Sequence, residues 1–194
     1  MSAKILDGKL LAQHIKDELK SQVFSLKQKT GLVPRLVNVM VGNDQGSCAY
    51  AKSQKSVAEY IGIQYDLITL PGDVTEEKFG ECIKDLNQDF SVNGIMIHKP
   101  LPEHIVYGKI ANYVNTEKDL EGINVTNIGK MILGETKIIP CTPASVVEHI
   151  QSTGVDLRGK EVVVVGHSVI VGKPLALLLL KQFATVTVCH IATS

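Results

Sequence analysis

With 194 residues, 44% of them hydrophobic, the chain is long enough to bury a sizeable core in one or two domains. Its 20 Lys and Arg balance 20 Asp and Glu, and there is no basic run or aromatic stacking surface, which argues against nucleic acid as a partner. The opening MSAKILDGK has no signal-like apolar region and no apolar run is long enough to span a bilayer, so a cytoplasmic protein without membrane contact is expected. Cys48, Cys82, Cys141 and Cys189 are scattered without a CxxC pair and are expected to be reduced, mostly buried thiols that form neither disulfides nor a metal site.

In chain order, residues 10–29 carry Leu11, Ile15, Leu19, Val23 and Leu26 at helical spacing and end at a Thr30-Gly31 stop. Residues 36–41 read as a strand, 47–61 as a helix, 65–70 as a strand, 75–87 as a helix capped by Thr75 with acidic residues behind it, and 94–97 as a strand. This β-α-β-α-β alternation predicts a parallel sheet with helical crossovers. Residues 112–139 read mostly as loop, and a helix from about 143 to 152 leads into a second α/β unit. The predicted fold class is therefore α/β, with two parallel-sheet domains and a cleft between them. The break is placed near Pro140, giving domains at 1–140 and 141–194.

The second unit holds the run VVVVGHSVIVGKP at 162–174. Four valines suit a parallel strand covered on both faces, Gly166 suits a tight turn, and Gly172 allows close backbone approach. A helix from about 173 to 182 would aim its free N–H groups and the positive end of its dipole at a phosphate or pyrophosphate. Five residues separate Gly166 from Gly172, so this is not the GxGxxG dinucleotide fingerprint, and a plain strand-turn-helix remains an equal reading of the segment by itself.

The pattern G-x-S-x-x-V-G-x-P at 166–174, followed by TVTVCH at 185–190, resembles the cofactor loop of the methylenetetrahydrofolate dehydrogenase/cyclohydrolase family. ILDGK at 5–9, VGNDQGSCAY at 41–50, GIMIHKPLP at 94–102, KDLEG at 118–122 and PCTP at 140–143 fall in that family's order and spacing. The resemblance implies a first domain that binds folate and carries the catalytic residues, and a second, Rossmann-like domain for the nicotinamide cofactor. It implies NADP as cofactor, with NAD as the alternative, a tetrahydrofolate substrate, and a homodimer. Family members continue for about another hundred residues, so the second domain, with only two strands, reads as incomplete.

By the same resemblance Tyr50 packs against the aminobenzoate part of folate, and Ser47, one turn earlier, shapes the helix end. The family pattern Tyr-x-x-x-Lys puts a lysine on nearly the tyrosine's face, since four residues advance a helix by about 400°. Here that position is Gln54, which can neither take nor give a proton, so the cyclohydrolase step loses its expected acid/base. Lys52 and Lys55 lie about 200° and 140° from Tyr50 and are expected to be solvated. His98 and Lys99 stand where the family has a glutamine and a leucine. Strand alternation lets only one of them face the cleft, and His98 is the better candidate for proton transfer.

The family's KDVDG is KDLEG here, so Glu121 would anchor the pterin with one extra methylene, while Asp119 reads as a turn residue. On the cofactor side, Gly166, Ser168 and Gly172 would approach the phosphates and Thr142 the nicotinamide, unless Thr142 is only a helix cap. His167 stands where the family often has an arginine that reaches the 2′-phosphate of NADP, and a neutral histidine is a weaker partner. The implied function is NAD(P)-dependent oxidation of 5,10-methylenetetrahydrofolate to the methenyl form, with further hydrolysis to the formyl form open. The alternatives are a non-catalytic folate-binding paralogue and an oxidoreductase acting on a related pterin.

Overall fold

The computed structural model describes residues 5–135 and 138–194. The opening MSAK, and Thr136 and Lys137 within the stretch read as loop, lie outside the described residues. Chain contacts divide the molecule into a compact unit at Ala12–Leu120 and a second unit made of the residues before and after it.

In the unit at Ala12–Leu120, β1 (Arg35–Val41) is the middle strand of a parallel sheet, flanked by β2 (Gln64–Leu70) and β3 (Gly94–Ile97). Helix α1 (Gly8–Thr30) leads into β1, and α2 (Gln45–Ile61) and α3 (Glu76–Gln88) make the crossovers. Side chains of a strand alternate between faces. Val37, Val39 and Val41 therefore share one face, where they pack with Phe79, Ile83 and Leu86 of α3 and with Ile95 and Ile97 of β3. The even positions turn the other way, and Asn38 reaches Gln54 of α2 on that side. Thr75 caps α3 as expected, its side chain accepting from the Lys78 N–H.

The stretch 112–139 is less irregular than its sequence suggests. Helix α4 (Tyr107–Tyr113) runs into its start and α5 (Val125–Ile132) occupies its middle. Asn124 caps α5 by accepting from the Thr126 N–H, and Asn127 and Met131 are its buried contacts. An eight-residue helix spans only about two turns, so although Val125, Ile128 and Ile132 recur at helical spacing, the run is too short and its internal glycine too unfavourable for it to be read as a helix without its packing. The second unit also holds α6 (Cys141–Gln151), β4 (Glu161–Val165), α7 (Gly172–Lys181) and β5 (Thr185–Cys189), with β4 and β5 paired in parallel.

Two expectations are corrected here. Strand β4 is covered on one face only: Val164 is buried among Leu157, Leu179 and Ala184, but Val163 and Val165 are 62% and 86% exposed. The valine run satisfies strand propensity, while the pleat sends alternate side chains to a face that no described helix of this unit covers. The cysteines are not mostly buried: Cys48 and Cys141 are exposed in the first turns of α2 and α6, and Cys82 and Cys189 are half-buried.

Candidate active site

Parallel sheets present ligands at the carboxyl ends of their strands, where the next helix begins. In the first unit these ends carry the start of α2 and the segment after β3. Asp44 caps α2, accepting from the Ser47 N–H at 2.8 Å, and these backbone and hydroxyl hydrogen bonds from Ser47 hold the Asp44 carboxyl below its ordinary range. The buried Ser47 hydroxyl lies 2.8 Å from the Lys99 carbonyl and 3.0 Å from Asp44 Oδ1, so it ties α2 to the strand end.

Three residues after Ser47, Tyr50 is 57% exposed, which rules out a core tyrosine. Its ring meets the His98 imidazole edge-on, with centroids 5.6 Å apart. His98 continues β3, its N–H donating to the Val39 carbonyl, and its side chain is buried. Lys99 turns the other way and is exposed, with its ammonium 3.5 Å from the centre of the Tyr107 ring. Lys52 and Lys55 are exposed on α2.

Gln54, half-buried on α2, accepts from Asn38 Nδ2 at 2.6 Å, and its own Nε2 approaches the Met96 sulfur at 3.6 Å. Asn38 Nδ2 also lies 2.9 Å from both His98 Nε2 and Tyr65 Oη. The fold thus brings Tyr50, Gln54 and His98 into one cluster, together with Asn38 and Tyr65, which the sequence did not nominate. A polar residue in the run LVNVMV was the available signal.

Burial pushes the His98 pKa below its ordinary value, so the imidazole is neutral at pH 7. The unfolded chain then binds a proton that the folded chain refuses, and stability falls as pH drops below about 6.5. In urea titrations, His98→Gln is expected to flatten this acid limb while leaving stability near pH 8 less affected. An acid limb unchanged by the substitution would place the titration elsewhere.

Asp119 is not a turn residue: it is buried and bridges in parallel to Ile95. Lys118 closes the end of α3, its ammonium donating to the Leu86, Asn87 and Asp89 carbonyls. Glu121 opens the second unit and is half-buried.

In that unit, Thr142 is exposed in the first turn of α6, which Pro140 precedes at the cap position, so Thr142 is not the cap. Gly166 adopts φ +119°, a conformation that excludes most side chains. A Cβ on Gly172 would stand 2.1 Å from the Gly166 carbonyl oxygen, so the two glycines let the loop fold back on itself. The N-terminus of α7 is not the phosphate cradle expected from sequence. Ser168 Oγ accepts from the Val171 and Gly172 N–H groups, its carbonyl accepts from Lys173, and Pro174 has no N–H. The donors that remain without a protein partner among the described residues are the loop N–H groups at 167–170, beside the Ser168 hydroxyl. Loop amides without a protein acceptor, next to a hydroxyl, can donate to an anion, so the residues present fit the pyrophosphate of a dinucleotide. The exposed rings of His167 and His190 meet edge-on at 5.0 Å beside this loop.

Residues 6–121 match the tetrahydrofolate dehydrogenase/cyclohydrolase catalytic domain, and residues 140–194 match the NAD(P)-binding domain of the same proteins. The chain belongs to the tetrahydrofolate dehydrogenase/cyclohydrolase family. It is 43% identical over 188 residues to the bifunctional protein FolD of Agathobacter rectalis, covering 97% of this chain and 67% of that protein. Against the FolD of Bacillus pumilus the identity is 44% over 194 residues, covering 100% and 68%. The chain thus spans about two thirds of the length of these relatives.

Among solved structures it superposes on the FolD methylenetetrahydrofolate dehydrogenase/cyclohydrolase of Campylobacter jejuni with a TM-score of 0.96 at 39% identity, covering 100% of this chain and 68% of that one. The Trypanosoma brucei dehydrogenase-cyclohydrolase, solved with NADP cofactor and inhibitor, gives a TM-score of 0.93 at 33% identity, covering 100% and 66%. The α/β fold with parallel sheets and an NAD(P)-binding domain is therefore shared with this family, and the tetrahydrofolate dehydrogenase/cyclohydrolase frame applies to the residues above.

Proposed function

We propose that this chain oxidises 5,10-methylenetetrahydrofolate to the 5,10-methenyl form with NADP as cofactor, and that onward hydrolysis to the 10-formyl form is slow. The observation that carries this reading is Gln54, which sits in a neutral hydrogen-bonded cluster with Asn38 and His98. The two reactions ask different things of the protein. In the first, a hydride leaves the methylene carbon and the remaining cation is shared between the flanking nitrogens, so positioning is the main requirement. The bound nicotinamide supplies the hydride acceptor. In the second, water adds to the methenyl carbon and a C–N bond opens, with protons moved at each stage, and an amide at position 54 cannot move them.

In this reading Tyr50 offers its exposed ring to the aminobenzoate, His98 and Gln54 meet the pterin side of the substrate, and Glu121 anchors the pterin edge. The loop N–H groups at 167–170 and Ser168 hold the cofactor phosphates, with His167 and His190 near the site of a 2′-phosphate. Imidazoles lack the planar fork with which a guanidinium grips a phosphate, which leaves NAD as a usable second cofactor. Among the described residues no helix is long and apolar enough to cross a membrane. A cytoplasmic homodimer is what the family resemblance implies, and sedimentation of the purified chain tests the dimer.

The deciding experiment mixes the chain with methylenetetrahydrofolate and NADP, or NAD, and follows reduced cofactor and methenyl product together. Stoichiometric reduced cofactor with accumulating methenyl product is the expected result. Rapid passage to the formyl product would assign the proton transfers to His98. Folate binding without turnover with either cofactor would favour a non-catalytic folate-binding protein.

A further inference from the structure

Asn38 lies mid-strand between Val37 and Val39 with none of its surface exposed. A buried amide costs free energy unless its donors and acceptor are matched, and here they are not. Nδ2 has two hydrogens and three neighbours, namely Gln54 Oε1, Tyr65 Oη and His98 Nε2, while Oδ1 has no hydrogen-bond partner among the described residues. An apolar side chain of similar volume would avoid this penalty. The residue is therefore better explained by what it does to its neighbours than by what it adds to the core.

We propose that Asn38 is a positioning residue: by donating from Nδ2 to His98 Nε2 and Gln54 Oε1, it holds the imidazole as the neutral Nδ1–H tautomer. His98 Nδ1–H and Gln54 Nε2–H are then the donors with which this site meets its substrate. The first step is a matter of valence, since a ring nitrogen that accepts a hydrogen bond carries no proton and the proton of the neutral ring sits on the other nitrogen. The second follows from Gln54: with Oε1 held, its Nε2 has among the described residues the Met96 thioether at 3.6 Å, a weak acceptor. The titratable groups packed on the His98 ring are Tyr50 from α2 and, across Asn38, Tyr65 from β2, whose phenol pKa is pushed up by burial, while Lys99 turns to Tyr107. Two neutral donors suit the carbonyl and ring-nitrogen lone pairs of a pterin. That last clause rests on the proposed function, whereas the tautomer does not.

The test is nitrogen NMR of the histidine rings in the full chain, with the His98 signals assigned by His98→Gln. Near pH 7.5 the expected spectrum shows a protonated Nδ1 and an unprotonated, hydrogen-bonded Nε2. Asn38→Val is expected to remove the bias and give a mixture of tautomers, with kcat/KM for methylenetetrahydrofolate about ten-fold lower, the scale of one lost hydrogen bond. Asn38→Asp is expected to reverse it, placing a proton on Nε2 and moving the ring's titration to higher pH. A wild-type ring protonated at Nε2, or a tautomer unchanged in a folded Asn38→Val chain, would overturn the proposal. The expected tautomers in a chain that neither binds nor turns over folate would support the positioning role and remove the pterin as its purpose. The wild-type spectrum is decisive even if both variants fail to fold.

Discussion

Gln54→Lys is expected to raise conversion of the methenyl to the formyl product by about 10² to 10⁴-fold, the usual range for a positioned general acid/base. Position 54 lies on α2, nearly on the face of Tyr50, and is half-buried beside Asn38 and His98. A lysine there exchanges an amide that cannot transfer protons for an amine that can. Partial desolvation lowers the ammonium's pKa toward the working range. The Asn38 oxygen without a partner supplies an acceptor for it once that amide rotates by about 180°. Loss of methenyl absorbance, measured beside cofactor reduction, checks this. A dehydrogenase rate that is maintained without any gain in hydrolysis would show that the missing lysine is not what limits the second reaction.

Gly172→Ala is the second large expected effect. The added Cβ would stand 2.1 Å from the Gly166 carbonyl oxygen, 2.7 Å from its carbon and 2.9 Å from the His167 Cα. All three are backbone atoms that no rotamer change can move, so residues 166–172 must shift as a body. Forcing one methyl into a packed site costs about 1–3 kcal/mol. The larger consequence is for the cofactor, because the displaced segment carries the loop N–H groups that fit its phosphates. KM for NADP is expected to rise at least about ten-fold, the scale of one lost charge-assisted hydrogen bond. Folate binding measured alone should hold, since Tyr50, Gln54 and His98 belong to the other compact unit. Unchanged KM for NADP in a folded variant would remove this loop from cofactor binding.

The elements legible in the sequence were those with strong local signals. Thr75 followed by two glutamates marked the start of α3, and β3 was read with the bounds it has. Helix α5 was missed because its apolar period spans only about two turns around an internal glycine, and Asn124 capping and Met131 packing complete it in the fold. At the site, the divergence of His98 and Lys99 follows from strand alternation, and Gln54 sharing a cluster with His98 follows from helix pitch. Asn38 was not nominated, since a polar residue within an apolar strand reads locally as an interruption until the strand is known to be central.

Local chemistry and spacing were enough to determine the α/β class, the parallel sheets and the glycine loop, features that depend on periods of two and about 3.6 residues. The resemblance of the chain's motifs pointed to the family, and through it to the amide at position 54 where the family has a lysine. Tertiary structure decided the rest. It showed which ends of α7 and its loop keep N–H groups for an anion, that β4 is covered on one face only, and that Lys99 is drawn to Tyr107. It also showed that the His98 ring shares a buried amide with Gln54. Each of these depends on residues far apart in the chain competing for the same hydrogen bond or the same apolar surface, and only the closed fold sets the outcome of that competition.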